Sequence, residues 1–241
     1  METFFYSEIY NNEKEHWWYS TRRKIVHKLI RKYLPEGKGL KILDVGCGGG
    51  LLTQELQKYG KAVCIDPSEE AVNFARARGV NAEKVSIIDY KRENEYDCVV
   101  ALDVLEHCEN DLSAIKNIYN ILKPGGVAII FVPALNCFWG EQDVISHHFR
   151  RYTRNDLHNK FKNAGFKPIT QSYFNFFLSP AVFLSRKLSN IIKIKTISKS
   201  ELAYNNFILN KIGKIIFGLE YYLIPKFKFP FGVSLLGVYK K

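Results

Sequence analysis

Hydrophobic and polar positions alternate between two rhythms along most of this chain. Ile25, Val26, Leu29, Ile30 and Tyr33 recur at spacings of three and four, the period of an amphipathic helix. The first 37 residues therefore read as a helical, polar-aromatic segment closed by Pro35-Glu36-Gly37. A short apolar run, Lys41 to Val45, then reads as a strand that exits into Gly46-Cys47-Gly48-Gly49-Gly50. The spacing of Leu51, Leu52 and Leu56 predicts a helix, Ala62 to Asp66 a second strand, and Glu69 to Ala77 a helix opened by Pro67. Lys84 to Asp89 is predicted as a third strand. Tyr96 to Leu102 is a fourth, with the unbroken apolar character of a strand buried on both faces. Leu112 to Leu122 reads as a helix, stopped by Lys123-Pro124-Gly125-Gly126, and Val127 to Val132 as a fifth strand. Regular strand–helix alternation with short turns argues a parallel sheet covered by helices on both faces.

After Pro133 the pattern changes. Asn136 to Arg154 is loop-like, Asp156 to Ala164 a helix, and Phe166 to Tyr173 a sixth strand. Gly232 to Tyr239 reads as a seventh. Between them, residues 174–230 form a basic, aromatic insertion. One helix follows Ser179-Pro180 through Ala181, Leu184, Leu188, Ile191 and Ile192; a later one runs through Ile208, Ile212, Ile215, Ile216, Leu219, Tyr222 and Leu223. Lys187, Lys193, Lys211 and Lys214 fall between the apolar positions. The expected organisation is an N-terminal helical cap (1–37), an α/β core (38–173), the insertion (174–230) and a returning last strand (231–241).

Charge sharpens this division. The 241 residues carry a net +11, yet residues 1–140 hold 18 basic and 19 acidic side chains. Residues 157–241 hold 14 basic and 2 acidic ones, together with 16 of the 34 aromatic residues. The excess belongs to the C-terminal third and points to an anionic partner such as a membrane surface, nucleic acid or a phosphorylated substrate. Five scattered cysteines with no CxxC pair fit reduced thiols in a cytoplasmic protein, and neither a disulfide framework nor a zinc site is expected. Met1 to Tyr10 lacks the basic and apolar regions of a signal peptide. No apolar run reaches the roughly 18–20 residues that span a bilayer.

The glycine-rich exit of the first strand lets a ligand approach the backbone, where a side chain at Gly46 or Gly48 would obstruct it. The following helix N-terminus offers free N–H groups. Asp66, 20 positions after Gly46, suits a carboxylate accepting both ribose hydroxyls. A dinucleotide fingerprint would place Gly or Ala where this chain has Leu51. The run reads instead as D-x-G-x-G-x-G, and a carboxylate at Asp44 favours a ligand carrying an ammonium and a sulfonium.

These residues resemble the class I S-adenosylmethionine-dependent methyltransferases. Asp44 to Gly50 is similar to their first motif, Asp66-Pro67-Ser68 to the ribose-binding end of strand two, and Asp89 to the acid beside the adenine amine. Tyr96 to His107 is similar to the fourth-strand motif and Leu122 to Gly126 to the turn before strand five. The resemblance covers residues 41–132 in order. It implies a Rossmann-like doubly wound, seven-stranded, mostly parallel sheet of order 3-2-1-4-5-7-6. It also implies S-adenosylmethionine bound by Asp44, Gly46, Cys47, Gly48, Gly50, Asp66, Pro67, Asp89, Tyr90, Leu102 and Asp103. A narrower resemblance, carried by His16-Trp17-Trp18-Tyr19-x-x-Arg22-Arg23, by His147-His148-x-Arg150-Arg151-Tyr152 and by Gly232 to Leu236, points to a subfamily acting on glycan or lipid-linked substrates.

The residues after the fourth and fifth strands then face the acceptor. His147, His148 and His107 are candidates to take a proton from an acceptor hydroxyl; the alternative is surface histidines in a polar loop. Arg22, Arg23, Arg150 and Arg151 suit a phosphate or carboxylate, or else pair with acids of their own segments. Trp18 either closes the pocket or staples the first helix to the core. The insertion suits either an anionic leaflet or a cap over the acceptor. The expected protein is thus a cytoplasmic enzyme, peripheral on the inner membrane face, that methylates an oxygen of a small-molecule, glycan or lipid-linked acceptor. Nucleic acid is disfavoured as a partner, because Ala101-Leu102-Asp103-Val104 stands where base-amino methyltransferases carry an N/D-P-P-Y/F-like segment. RNA of another type would show as salt-sensitive RNA affinity, and a non-catalytic scaffold as cofactor binding without turnover.

Overall fold

The computed structural model describes residues 4–35, 39–192 and 207–241. Two helices, α1 (Phe4–Asn12) and α2 (Trp17–Tyr33), precede β1 (Leu40–Val45). The alternation continues with α3 (Leu51–Leu56), β2 (Gly60–Asp66), α4 (Glu69–Ala77), β3 (Asn81–Lys84) and β4 (Tyr96–Leu102). Then come α5 (Asp111–Ile121), β5 (Leu122–Pro133), the short α6 (Glu141–Ile145), α7 (Arg154–Asn163) and β6 (Lys167–Phe174). Helices α8 (Ser179–Ile192) and α9 (Phe207–Leu223) lead to β7 (Ser234–Lys240). The seven strands form one sheet in the order β3-β2-β1-β4-β5-β7-β6, as the resemblance implies. All neighbours are parallel except β7, which runs antiparallel to both β5 and β6.

Local chemistry explains the element boundaries. Ser68, Asn110 and Thr153 cap α4, α5 and α7 by accepting from Ala71, Ser113 and Asp156 N–H at 3.4, 3.0 and 3.1 Å. Cys98 to Ala101 in β4 and Val127 to Pro133 in β5 are buried, so the centre of the sheet is covered on both faces.

The third strand departs from the pattern reading. It occupies Asn81–Lys84, and the apolar residues Val85, Ile87 and Ile88 lie beyond it. An edge strand buries little, and here only Ala82 is buried. Ile87 is buried instead in the turn that follows, where Asn117 of α5 donates to the Ile87 and Tyr90 carbonyls at 2.5 and 2.8 Å. The hydrophobic signal belonged to a turn held by a helix. The region 136–154 likewise holds a helix, α6, that a loop reading omits.

The insertion does not stand apart from the core. Gly213 of α9 lies so near Trp17 that a Cβ there would meet the indole at 2.6 Å. Asn210 Oδ1 accepts from Trp17 N–H at 2.7 Å. The Trp18 ring stacks on Phe217 of α9 and Phe174 of β6, with centroids 5.4 and 5.9 Å away. Glu220, fully buried, accepts from the Phe176 and Phe177 N–H groups at 2.8 and 3.0 Å. Lys193, the side chains of Leu188, Ile191, Ile192 and Ile208, and the expected helix stop at Glu36-Gly37 lie outside the described residues.

Candidate active site

The carboxyl ends of β1, β2 and β4 converge where ligands bind in open α/β sheets. Gly46 takes φ +70°, and a Cβ there would meet Val104 Cγ2 at 2.6 Å, so the loop lies tight against the β4 exit. Gly48, at φ +53°, faces open space: a Cβ there would meet nothing nearer than Ile9 Cγ2 at 3.8 Å. Gly50 caps α3 in the left-handed region. Helix α1 lies over this loop. Arg78 donates to the Gly49 carbonyl at 2.8 Å and to Glu13 Oε1 at 2.9 Å, and Tyr10 stacks on Phe74 at 4.5 Å. Burial pushes Glu13 up to about 7, against the pull of Arg78.

Asp66 is buried and accepts one N–H on each oxygen, from Ser68 at 2.9 Å and Gly48 at 3.2 Å. Each oxygen keeps a further lone pair for a ribose hydroxyl. Desolvation raises its pKa and those two bonds oppose the rise. Asp44 lies beneath the loop, accepting from Thr53 Oγ1 at 2.6 Å; burial raises it to about 7. Cys47 is buried, and its bond with the Cys64 thiol, together with desolvation, drives its pKa up, away from thiolate chemistry. Pro67 is exposed after β2, and Leu102 is half-buried at the end of β4. Asp89 is exposed and accepts from Ser86 Oγ at 2.6 Å. Tyr90 turns the other way: its hydroxyl meets that of Tyr96, the first residue of β4, at 2.5 Å, and its ring lines a cavity of about 170 Å³ with Lys41 and Lys61. Its side chain therefore points away from the carboxyl ends. The open face of the loop and the free lone pairs of Asp66 fit a nucleoside carrying a cationic amino-acid arm.

Past β4 the chain turns sharply. Asp103 has φ +56°, a strained value for a non-glycine residue, and its carboxylate meets Arg22 Nη1 at 2.7 Å. Arg22 is buried beside the Trp18 ring at 4.9 Å, and its Nε and Nη2 meet no acceptor. The other three candidate arginines are engaged within the protein. Arg23 bonds Glu55 Oε1 at 3.1 Å and the Glu13 carbonyl. Arg150 meets Asp111 at 3.2 Å and the Glu109 carbonyl at 2.6 Å. Arg151 holds both oxygens of Asp143 at 2.8 and 3.0 Å and the Ala134 carbonyl at 3.0 Å. Each of these three donor sets meets an acid or carbonyl of this chain.

The histidines separate as well. The Phe149 N–H donates to the Glu106 carbonyl at 2.8 Å, which ties the loop after β5 to the β4 exit. His148 thereby lies edge-on to His107, centroids 4.7 Å apart. Asp143 Oδ1 accepts from His148 Nδ1 at 2.9 Å, because an ionised carboxylate can only accept; in the neutral imidazole the lone pair is then on Nε2. The bonds from His148 and Arg151 hold Asp143 down at about 2 although burial opposes them. Burial lowers His107 to about 3, so it is neutral at physiological pH. His147 is exposed at φ +56°. Glu106 is wholly buried, and neither oxygen has a donor from another residue; desolvation raises its pKa strongly. Asp143 is a buried acid beside these residues that a reading of motifs leaves unmarked, and Glu106 lies within the fourth-strand motif without being singled out there. Burial is what distinguishes both from ordinary surface acids.

The sequence model described as "Methyltransferase domain" matches residues 17–171. A ubiquinone biosynthesis O-methyltransferase of Rickettsia canadensis is 39% identical over 113 residues, 44% of this chain and 48% of that protein. The chain spans about half the length of the curated relatives it matches first. A solved complex between the Haloferax volcanii Trm112 methyltransferase activator and a methyltransferase contains a chain with TM-score 0.63 at 18% identity, covering 98% of this chain and 93% of that one. An S-adenosylmethionine-dependent methyltransferase from Mesorhizobium loti superposes with TM-score 0.58 at 17% identity over 90% of this chain and 98% of its own. The structural likenesses establish the fold, and the family match extends over more than half of the residues: this chain belongs to the Methyltransferase domain family, among the class I S-adenosylmethionine-dependent methyltransferases.

Proposed function

We propose that this protein transfers a methyl group from S-adenosylmethionine to a hydroxyl oxygen of a lipid-linked or glycan acceptor presented at a membrane face. When bound, the cofactor supplies a methyl group activated on a sulfonium. Asp66 would hold its ribose, the backbone of Gly46 to Gly50 would lie along its amino-acid arm, and Leu102 and Asp103 would border it. Asp89, exposed after β3, would lie beside the adenine, and α1 would exclude water from the loop side. Arg22, with Nε and Nη2 unpartnered, would be left to orient a carboxylate or phosphate.

The observation that carries an oxygen acceptor is the Asp143–His148 pair. An ionised carboxylate fixes the imidazole so that Nε2 offers a lone pair beside the β4 exit. That nitrogen would take the proton of the acceptor hydroxyl as the methyl group is transferred to its oxygen. Positioning and desolvation supply much of the remaining barrier reduction. The relatives' O-methyltransferase name supports oxygen as the accepting atom.

A membrane-facing acceptor is supported by α9. Ile212, Ile215, Leu219 and Tyr222 are 46, 60, 54 and 73% exposed along one helical face, and Leu184 of α8 is 59% exposed. Exposed Lys187, Lys211, Lys226 and Lys228 accompany them. An apolar face fringed by lysines is the pattern of an interfacial helix, and no helix among the described residues is long and apolar enough to cross a membrane.

Labelled-methyl transfer into a cell extract split into lipid, glycan and RNA fractions tests the reading. Label should enter the lipid or glycan fraction, and His148→Ala should slow transfer by roughly 10²–10⁴-fold while cofactor binding persists. Label confined to RNA would overturn the acceptor assignment.

A further inference from the structure

We propose that Glu106, His107 and His148 form a binding site for a divalent transition-metal cation of the zinc type, next to the position of the acceptor. The inference rests on side chains that the methyl-transfer reading leaves partly unexplained. One ligand atom from each of the three lies within 4.8 Å of the other two. They come from two separate segments, the turn after β4 and the loop after β5, joined by the hydrogen bond from Phe149 N–H to the Glu106 carbonyl at 2.8 Å.

Glu106 is the strongest indication. It is 0% exposed and both its oxygens lack a donor from another residue. A buried carboxylate left without a partner is costly, and native proteins pair such groups. The two arginines in its neighbourhood do not serve it: Arg22 gives Nη1 to Asp103, and Arg151 is bidentate on Asp143. A cation between Glu106 and the two imidazoles would satisfy the carboxylate where no side chain does.

Both imidazoles are already held as metal-ligating histidines are held. Asp143 fixes His148 through Nδ1 at 2.9 Å, and the Ser146 backbone carbonyl takes a hydrogen bond from His107. Each ring thus has one nitrogen anchored by an oxygen and the other available, the outer-shell arrangement that sets tautomer and orientation around a bound metal. The same contacts would also orient a histidine base, so Glu106 is what separates the two interpretations.

The donor set selects the ion. Two imidazole nitrogens and one carboxylate suit zinc and its first-row neighbours, whereas Mg²⁺ and Ca²⁺ favour all-oxygen shells. Three protein ligands leave a coordination position open. The inference deepens the proposed reaction: a hydroxyl oxygen of the acceptor in that position would be held and made more acidic. The His148 lone pair would then act as ligand in place of proton acceptor, and the hydroxyl proton would pass to solvent water as the methyl group is transferred.

Cobalt(II) titrated into the full chain is the test, followed by displacement with zinc. One equivalent of Co²⁺ should produce visible ligand-field bands that Zn²⁺ abolishes. Calorimetric Zn²⁺ affinity should fall at least tenfold in Glu106→Gln and in His107→Ala. Asp143→Asn, which touches only the outer shell, should weaken it by about 10–100-fold. His158→Ala, on α7, should leave it unchanged. Calorimetric binding of S-adenosylhomocysteine and the thermal midpoint report whether each variant is folded, and the wild-type titration stands even if one is not. Absence of the Co²⁺ bands, Zn²⁺ affinity unaltered in folded Glu106→Gln, or Mg²⁺ bound in preference to Zn²⁺ would overturn the site. None of these readouts involves an acceptor, so a cation site can stand while the acceptor assignment fails, and the reverse.

Discussion

Asp66 and Asp143 illustrate how differently two buried carboxylates can report on function. Asp66 was marked in sequence by its distance from the glycine run, and the structure spans that distance with a bond from Gly48 N–H to Asp66 at 3.2 Å. Asp66→Ala should weaken cofactor affinity by roughly 1–3 kcal/mol through lost hydrogen bonds; unchanged calorimetric binding would remove it from the site. Asp143 had no such marker: His148 and Arg151 lie only five and eight positions further on, but no motif spacing announces the pairing, and Arg186 reaches it from α8. Its pKa is lowered from 3.8 to about 2, so its folded form prefers the ionised state. Its stabilising contribution is therefore full above about pH 4 and is lost as pH falls toward 2. Urea titrations of wild type and Asp143→Asn should differ by about 2 kcal/mol near neutrality and converge at low pH; a gap independent of pH would contradict this. The arginines teach the opposite lesson. Arg23, Arg150 and Arg151 suit an anionic acceptor in sequence, yet each is neutralised by an acid of this chain, Glu55, Asp111 and Asp143.

At the scale of elements, strands buried on both faces were the most legible, since β4 occupies the predicted Tyr96 to Leu102. Helix α4 also occupies its predicted span, Glu69–Ala77. Edge strand β3 was misplaced because its own residues carry almost no apolar signal. Helix α9 was foreseen as amphipathic, but its two sides have different uses. Gly213, Phe217 and Glu220 face inward, against Trp17, Trp18 and the backbone of Phe176 and Phe177, while Ile215, Leu219 and Tyr222 face out. Gly213→Leu should force α9 away from Trp17, because the added Cβ alone would stand 2.6 Å from the indole. We expect a cost of about 1–3 kcal/mol, typical of overpacking, together with faster amide exchange in α9. A wild-type thermal midpoint and exchange pattern would show that the docking is not tight.

For the whole molecule, the net charge of +11 divides into a near-neutral cofactor-binding part and a basic C-terminal third. The exposed apolar row on α9 and its lysines give that imbalance a direction. Flotation with anionic vesicles should carry the protein and flotation with neutral vesicles should carry less; absence from both would exclude a membrane role for this face. The family resemblance of its motifs implied the strand order, and by itself the sequence determined the strand–helix alternation and the glycine-rich exit of β1. These depend on periodicity, on glycine's conformational freedom and on contacts between successive elements. It also located the basic excess. Only the tertiary structure decided which polar residues remain available for chemistry. Burial and pairing are properties of segments brought together from afar, and they leave Glu106, His107, His148 and Arg22 facing the site while Arg23, Arg150, Arg151 and Tyr90 are drawn into the fabric around it.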